Sequence, residues 1–125
     1  MIHRLVVPGE TPSKKNSRIN TRSGRSFPSR KFSLWHGEAV SVIKRQWAKK
    51  PLERGVWLIL SFYHKDSRRR DSDNQVSSIL DTLVDAGVLQ DDSWTIVRRI
   101  SVANMLDPER KGRCEINIVE AAGDC

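Results

Sequence analysis

Two acidic pairs flank one short amphipathic stretch of this chain, and they are the residues best suited to chemistry. Residues 68–92 read R-R-R-D-S-D-N-Q-V-S-S-I-L-D-T-L-V-D-A-G-V-L-Q-D-D, so Asp71 and Asp73 stand before the stretch and Asp91 and Asp92 after it. Carboxylates brought together repel one another unless they share a cation. An all-oxygen donor set without His or Cys favours Mg2+, with Mn2+ as a substitute, over zinc. An ion held this way activates water and stabilises charge on an attacked phosphate, the chemistry of phosphodiester hydrolysis. Arg68, Arg69 and Arg70 precede the first pair and supply the positive charge needed to hold a phosphate beside aspartates. Taken alone, D-x-D-N is a weak signal, because aspartates ahead of a helix commonly serve only as caps. The arginine run, the second acidic pair and the basic surplus of the chain strengthen it. A calcium loop of the EF-hand type is excluded, since Val76 and Thr82 occupy the positions that need Gly and Glu.

The elements between and around these pairs must position them. Val76, Ile79, Leu80, Leu83 and Val84 recur at the spacing of a helix with one buried stripe. Ser72 or Asp73 is the expected N-cap, and Ala86-Gly87 ends the helix. At 1.5 Å per residue a helix of about a dozen residues spans roughly 18 Å. Asp92 therefore meets Asp71 only if the strand after the helix runs back alongside the strand before it. Residues 55–63, nearly all apolar, read as a central strand, and residues 95–105 as the next strand. Their pairing is expected to bring the two acidic clusters together.

The segment R-R-R-D-S-D-N, followed by D-T-L-V-D-A-G-V-L-Q-D-D, resembles the RusA family of Holliday-junction resolvases. That family's pattern is basic residues, D-x-D-N, a short helix, Gly, then D-D and a strand. The resemblance is ungapped over residues 63–97 and weaker at V-V-P-G-E-T-P-S-K-K-N, which looks like the family's opening strand and turn. It implies a small dimeric, magnesium-dependent endonuclease that nicks opposite strands of four-way DNA junctions in recombination and repair, and a phage or prophage origin would suit it. Carried over by position, the catalytic, metal-holding carboxylates are Asp71, Asp73 and Asp92, with Asp91 beside them as a further ligand. One position departs from the pattern: Ser77 stands where the family carries a Lys early in the helix. Lys14, Lys15 and Lys65 are the candidates to replace it. The departure keeps open a non-catalytic junction- or duplex-binding protein, and a broader flap or fork nuclease is a further alternative.

Charge points the same way. Lys and Arg number 22 against 15 Asp and Glu, a net charge of +7, which favours a polyanionic partner. Residues 11–34 carry seven cations and no acid, with Gly, Ser and Pro between them. Residues 11–32 thus read as a flexible basic loop for salt-sensitive contacts to phosphates. Lys14, Lys15, Arg18, Lys65, Arg68, Arg69 and Arg70 are the expected DNA contacts. A solvated loop without a ligand is the plainer alternative. His3, His36 and His64 are scattered and read as structural or exposed, and Asp81 and Asp85 as solubilising. Cys114 and Cys125 lack redox or metal spacing and are expected to be free thiols. No apolar run is long enough to span a membrane and the start lacks the features of a leader, so a cytoplasmic protein is expected.

With 125 residues the chain forms one domain, 1–125. Residues 2–7 form a first strand, and residues 33–48 a helix on which Trp35, Ala39, Val42, Ile43 and Trp47 share one stripe, tryptophans included in the core. Residues 113–120 alternate as a half-exposed strand, expected to form a hairpin with the strand before it. The predicted fold is α+β: a mixed sheet of about four strands with two packed helices, in the order β-α-β-α-β-β.

Overall fold

The computed structural model describes residues 1–13, 18–20, 22, 24 and 26–121, with backbone alone for 18–20 and 26–28. Four strands form one sheet: β1 (Ile2–Pro8), β4 (Val56–His64), β5 (Val97–Leu106) and β6 (Arg113–Glu120). Two helices, α1 (Arg30–Gln46) and α2 (Ser72–Asp85), cover one face of it. The expected α+β order therefore holds, with one addition inside the basic segment. There β2 (Arg18–Asn20) and β3 (Ser26–Pro28) pair as a small antiparallel ribbon, so that part of residues 11–32 is built rather than loop.

Side-chain alternation along the strands decides where the core lies. Leu5 and Val7 of β1, Val56, Leu58, Leu60 and Phe62 of β4, and Cys114, Ile116 and Ile118 of β6 are buried on the helix side. Ala39 and Ile43 of α1 and Ile79 and Leu83 of α2 meet them in one cluster. Trp47 is buried and Trp35 packs at the cluster's margin, as their place in the stripe predicts. Helix α1 starts earlier than the apolar spacing suggests, because the hydroxyl of Ser29 accepts a 3.1 Å bond from Phe32 N and caps it there.

The sheet order is β1-β6-β4-β5, which corrects the expected hairpin of the last two strands. β6 passes β4 and lies antiparallel between β4 and β1, leaving β5 at the edge. Burial explains the choice: β6 has three fully buried apolar side chains to bring under the helices, whereas β5 is exposed along nearly its whole length. The turn between them is held by buried Asp107, whose carboxylate accepts from the backbone N–H groups of Glu109, Lys111 and Gly112 at 3.1, 3.2 and 2.9 Å. Those bonds, that of Gly112 foremost, keep its carboxyl below the usual carboxylate range.

β4 and β5 do pair, but in parallel, from Val56 beside Val97 to His64 beside Leu106. Helix α2 connects them as a β-α-β crossover and returns the chain to the end where β4 began. Its 14 residues span roughly 21 Å at 1.5 Å each. Gly87, at φ 77°, closes the helix, and Val88 N bonds back to Leu83 O at 2.9 Å. Among the described residues no helix is long and apolar enough to cross a membrane.

Candidate nucleic-acid and metal site

Asp71 is the N-cap residue of α2, one position before the caps expected from the sequence, and it makes no capping bond with its side chain. Its carboxylate lies 3.5 Å from the Asn74 amide and 3.6 Å from the Arg69 guanidinium. Asp73 is exposed in the first turn. Both therefore sit where the positive end of the helix dipole favours negative charge. This end of α2 is fixed to the trailing end of the sheet, where Asn104 of β5 reaches the Ser72 hydroxyl at 3.4 Å and Asp107 N bonds to His64 O at 2.8 Å.

Asp91 and Asp92 lie at the other end. Gln90 N bonds to Leu52 O at 3.1 Å and Val56 N to Ile96 O at 2.7 Å, so residues 90–96 are pinned beside the start of β4. Both aspartates are exposed there. The expectation that the strand pairing would bring the acidic clusters together within one chain is thus corrected. A parallel crossover separates its own two connections by the length of the strand, and β4 has nine residues at about 3.3 Å each. Among the described residues, no group of three or more His, Cys, Asp or Glu is placed to share a metal ion. Asp71 and Asp73 are hard oxygen donors of the right type for Mg2+, but one chain alone does not supply the three-carboxylate set.

A cavity of about 440 Å3 opens beside Asp71. Among the described residues, Lys31, Lys65, Arg68, Arg69, Arg70 and Lys111 line it, drawn from α1, the 65–71 connection and the β5–β6 turn. Arg68 and Arg69 are almost fully exposed, and the contact of Arg69 with Asp71 is a solvated ion pair that leaves its guanidinium available. Arg70 behaves differently from its neighbours. It turns inward, donating to Asp66 Oδ1 at 2.7 Å and to the carbonyls of Asp66 and Arg68 at 3.0 Å each. The bond to its carboxylate holds Asp66 below its ordinary value. Arg70 thereby shapes the connection that carries Arg68 and Arg69.

The floor of the cavity is organised by Glu10, a residue that no motif in the sequence singles out. Its carboxylate accepts from Lys65 N at 2.9 Å and Gln75 Nε2 at 3.2 Å, with His64 Nδ1 at 2.9 Å and Arg70 Nε at 3.4 Å. Gln75 also donates to Thr11 O at 2.7 Å, and the Ser78 hydroxyl to Pro12 O at 2.7 Å. These bonds staple residues 10–12 to α2, so the basic segment departs from the cavity wall. Ser13 is the last described residue lining it on that side; Lys14 and Lys15 lie outside the described residues, as does Cys125, and of Arg18 only the backbone is described. Lys65 lines the cavity, whereas Ser77 is exposed further along α2. Asp85, expected to be only solubilising, lies 2.7 Å from His36 Nε2 and clamps α2 to α1.

A mixed four-stranded sheet with both helices on one face, carrying an acidic helix start beside a cavity lined by cations, defines a small α+β protein. Residues 8–119 match the family described as Endodeoxyribonuclease RusA, and the chain belongs to that family. It is also 24% identical over 92 residues to the Crossover junction endodeoxyribonuclease RusA of Aquifex aeolicus (strain VF5), covering 74% of this chain and 69% of that protein. The family is one of endodeoxyribonucleases, which agrees with the basic surplus and the acidic motif.

Proposed function

We propose that the chain is a Mg2+-dependent endonuclease that resolves four-way DNA junctions by paired nicks in recombination and repair, acting as a homodimer. The observation that carries this reading is the set of lysines and arginines lining the cavity beside Asp71, in a chain of an endodeoxyribonuclease family. Exposed Arg68, Arg69, Lys65 and Lys31 bind the phosphodiester strand by charge, giving affinity without sequence reading. Asp71 and Asp73, at the positive end of α2, hold the ion against that strand. The third carboxylate, Asp92, with Asp91 next to it, comes from a second copy, because the parallel crossover carries a chain's own Asp92 to the far end of its sheet. A bound ion supplies the charge that activates water and stabilises the leaving oxygen. A symmetric junction presents two equivalent strands to cut, which suits a two-fold dimer with one site at each α2 start.

The test is incubation of labelled four-way junction with Mg2+ and the variants Asp71→Asn, Asp73→Asn and Asp92→Asn. Loss of a partner behind a metal ligand already costs about 10- to 100-fold, so loss of a ligand is expected to cost more than that. Full cutting by all three variants ends the proposal.

Ser77, in the place of the family's Lys, favours one second reading: a protein that binds junctions without cutting them. Tight junction binding with no Mg2+-dependent product at high protein concentration decides for that alternative. A panel of flaps and forks separates a strict resolvase from a broader nuclease.

A further inference from the structure

Three of the four tryptophans belong to the sheet or its helix layer: Trp47 is buried, Trp35 packs at the margin of the core and Trp57 lies on β4. Trp94 differs, at 72% exposure. Its backbone is nevertheless fixed. Residues 93–97 form a single turn, closed by Ile96 N to Ser93 O at 3.0 Å and Val97 N to Ser93 O at 2.9 Å, and Ile96 and Val97 anchor that turn in the core. The Arg98 guanidinium lies over the Trp94 ring, 5.2 Å from its centre, while Arg98 Nε donates to Thr95 O at 3.2 Å. Arg98 thus backs one face of the indole, and the exposure leaves the other face to solvent. Aromatic rings stabilise a fold by the area they bury, so an indole this exposed adds little to it.

The surroundings combine aromatic rings with cations. Arg99 follows Arg98 at the start of β5 and lies 5.5 Å from the centre of the Trp57 ring, and exposed Arg54 precedes Gly55. Gly55 gives Arg98 its path, since a Cβ there would lie 3.0 Å from Arg98 Cγ. Asp92 stands two residues before Trp94, so a DNA strand lying on this turn is already beside a carboxylate assigned above to the metal. A bound cation offsets the charge of Asp91 and Asp92 toward that strand.

We propose that Trp94, backed by Arg98, is a stacking platform for a nucleobase at a DNA branch point, and that it makes binding selective for branched over fully paired DNA. Bases inside a continuous duplex are already stacked on both sides. Those at a branch point lose a neighbour and offer a flat apolar face, which an exposed indole can cover. Every base has such a face, so the platform selects structure and reads no sequence. Arg98 adds a cation beside the stacked ring, within reach of the phosphates that flank the base. The partner, DNA, rests on the function proposed above, but the platform is measured by binding without any cutting.

The test titrates full-length wild type, Trp94→Ala and Trp94→Phe with a labelled four-way junction, and with a duplex of the same arm sequence, by fluorescence anisotropy in EDTA. Trp94→Ala is expected to weaken junction binding roughly 5- to 150-fold, the range for losing one stacked base, and to leave duplex binding and the urea midpoint unchanged. Trp94→Phe keeps a ring and is expected to keep the junction affinity, while the quenching of tryptophan emission that the junction causes in the wild type disappears. Junction affinity unchanged in Trp94→Ala overturns the proposal, as does an equal loss on junction and duplex. A smaller mass for Trp94→Ala than for the wild type in light-scattering chromatography also overturns it, because the ring then packs against another chain. Failure of the nuclease reading looks different: a protein that needs Trp94 to prefer junctions and never cuts them in Mg2+ leaves the platform standing.

Discussion

The carboxylate of Glu10 lies 2.9 Å from Nδ1 of His64, joining the second residue past β1 to the last residue of β4. The same carboxylate takes Lys65 N and Gln75 Nε2, so one half-buried acid sets the spacing between the basic connection and the start of α2. Replacing Glu10 by Gln keeps the volume and removes the charge that these donors face. The variant is expected to lose about 1.5 to 3 kcal/mol of folding stability, the range for hydrogen bonds to a charged group. Urea denaturation checks this, and an unchanged midpoint would show that Glu10 is not the organising residue.

Gly112 makes room for that arrangement. At φ 85° it adopts a conformation that side chains disfavour, and a Cβ there would lie 3.0 Å from Glu10 N. Gly112→Ala is expected to cost about 1 to 3 kcal/mol through backbone strain and to displace Glu10 with it. A variant as stable as the wild type in urea contradicts the close approach.

The arginine run divides by environment. Exposed Arg68 and Arg69 are expected to contact phosphate, so Arg68→Ala with Arg69→Ala should leave stability unchanged. The slope of log affinity against log salt for duplex arms should flatten by roughly 0.9 for each phosphate no longer neutralised. Fluorescence anisotropy over a salt series measures it. Arg70→Ala should instead lower the melting temperature, because its guanidinium is bonded to Asp66 and backbone carbonyls.

Acid should weaken the fold in a defined window. Asp107, Asp66 and Glu120 are all held below their ordinary values in the folded chain, by the N–H of Gly112, by Arg70 and by His3 respectively. A lowered folded value means that the unfolded chain binds protons first as pH falls. Their contribution is therefore complete above the unfolded values of 3.8 to 4.5 and is lost as pH drops through the lower folded ones. Urea midpoints should hold down to about pH 5 and decline below it. Asp107→Asn should lower the neutral-pH midpoint and flatten that decline; an unchanged acid limb would contradict the assignment.

Much of this architecture is legible in the sequence where a local pattern decides it. The stripe Val76, Ile79, Leu80, Leu83 and Val84 specifies α2, and the apolar run of β4 specifies a strand at the centre. What is missed depends on contacts between distant segments. Nothing local states that β6 passes β4, since a polar turn such as residues 107–112 suits a hairpin equally well. The separation of Asp71 from Asp92 follows from strand direction, because the helix and its connections return the chain to the starting end of β4. Glu10 carries no signal by type or spacing, and its role exists only once β1 ends beside His64 and Gln75. The motif residues are legible because their chemistry is local; their meeting place is not.

The central claim, that Asp71 and Asp73 of one chain work with Asp92 of another, is tested most directly by mixing inactive variants. Asp71→Asn and Asp92→Asn chains, co-refolded in equal amounts, form mixed dimers in which one site keeps every carboxylate and the other keeps neither Asp71 nor Asp92. The account predicts that each variant alone leaves junction DNA intact in Mg2+ and that the mixture regains single-strand nicking. A mixture as inactive as its components, with junction binding retained by both, would contradict it.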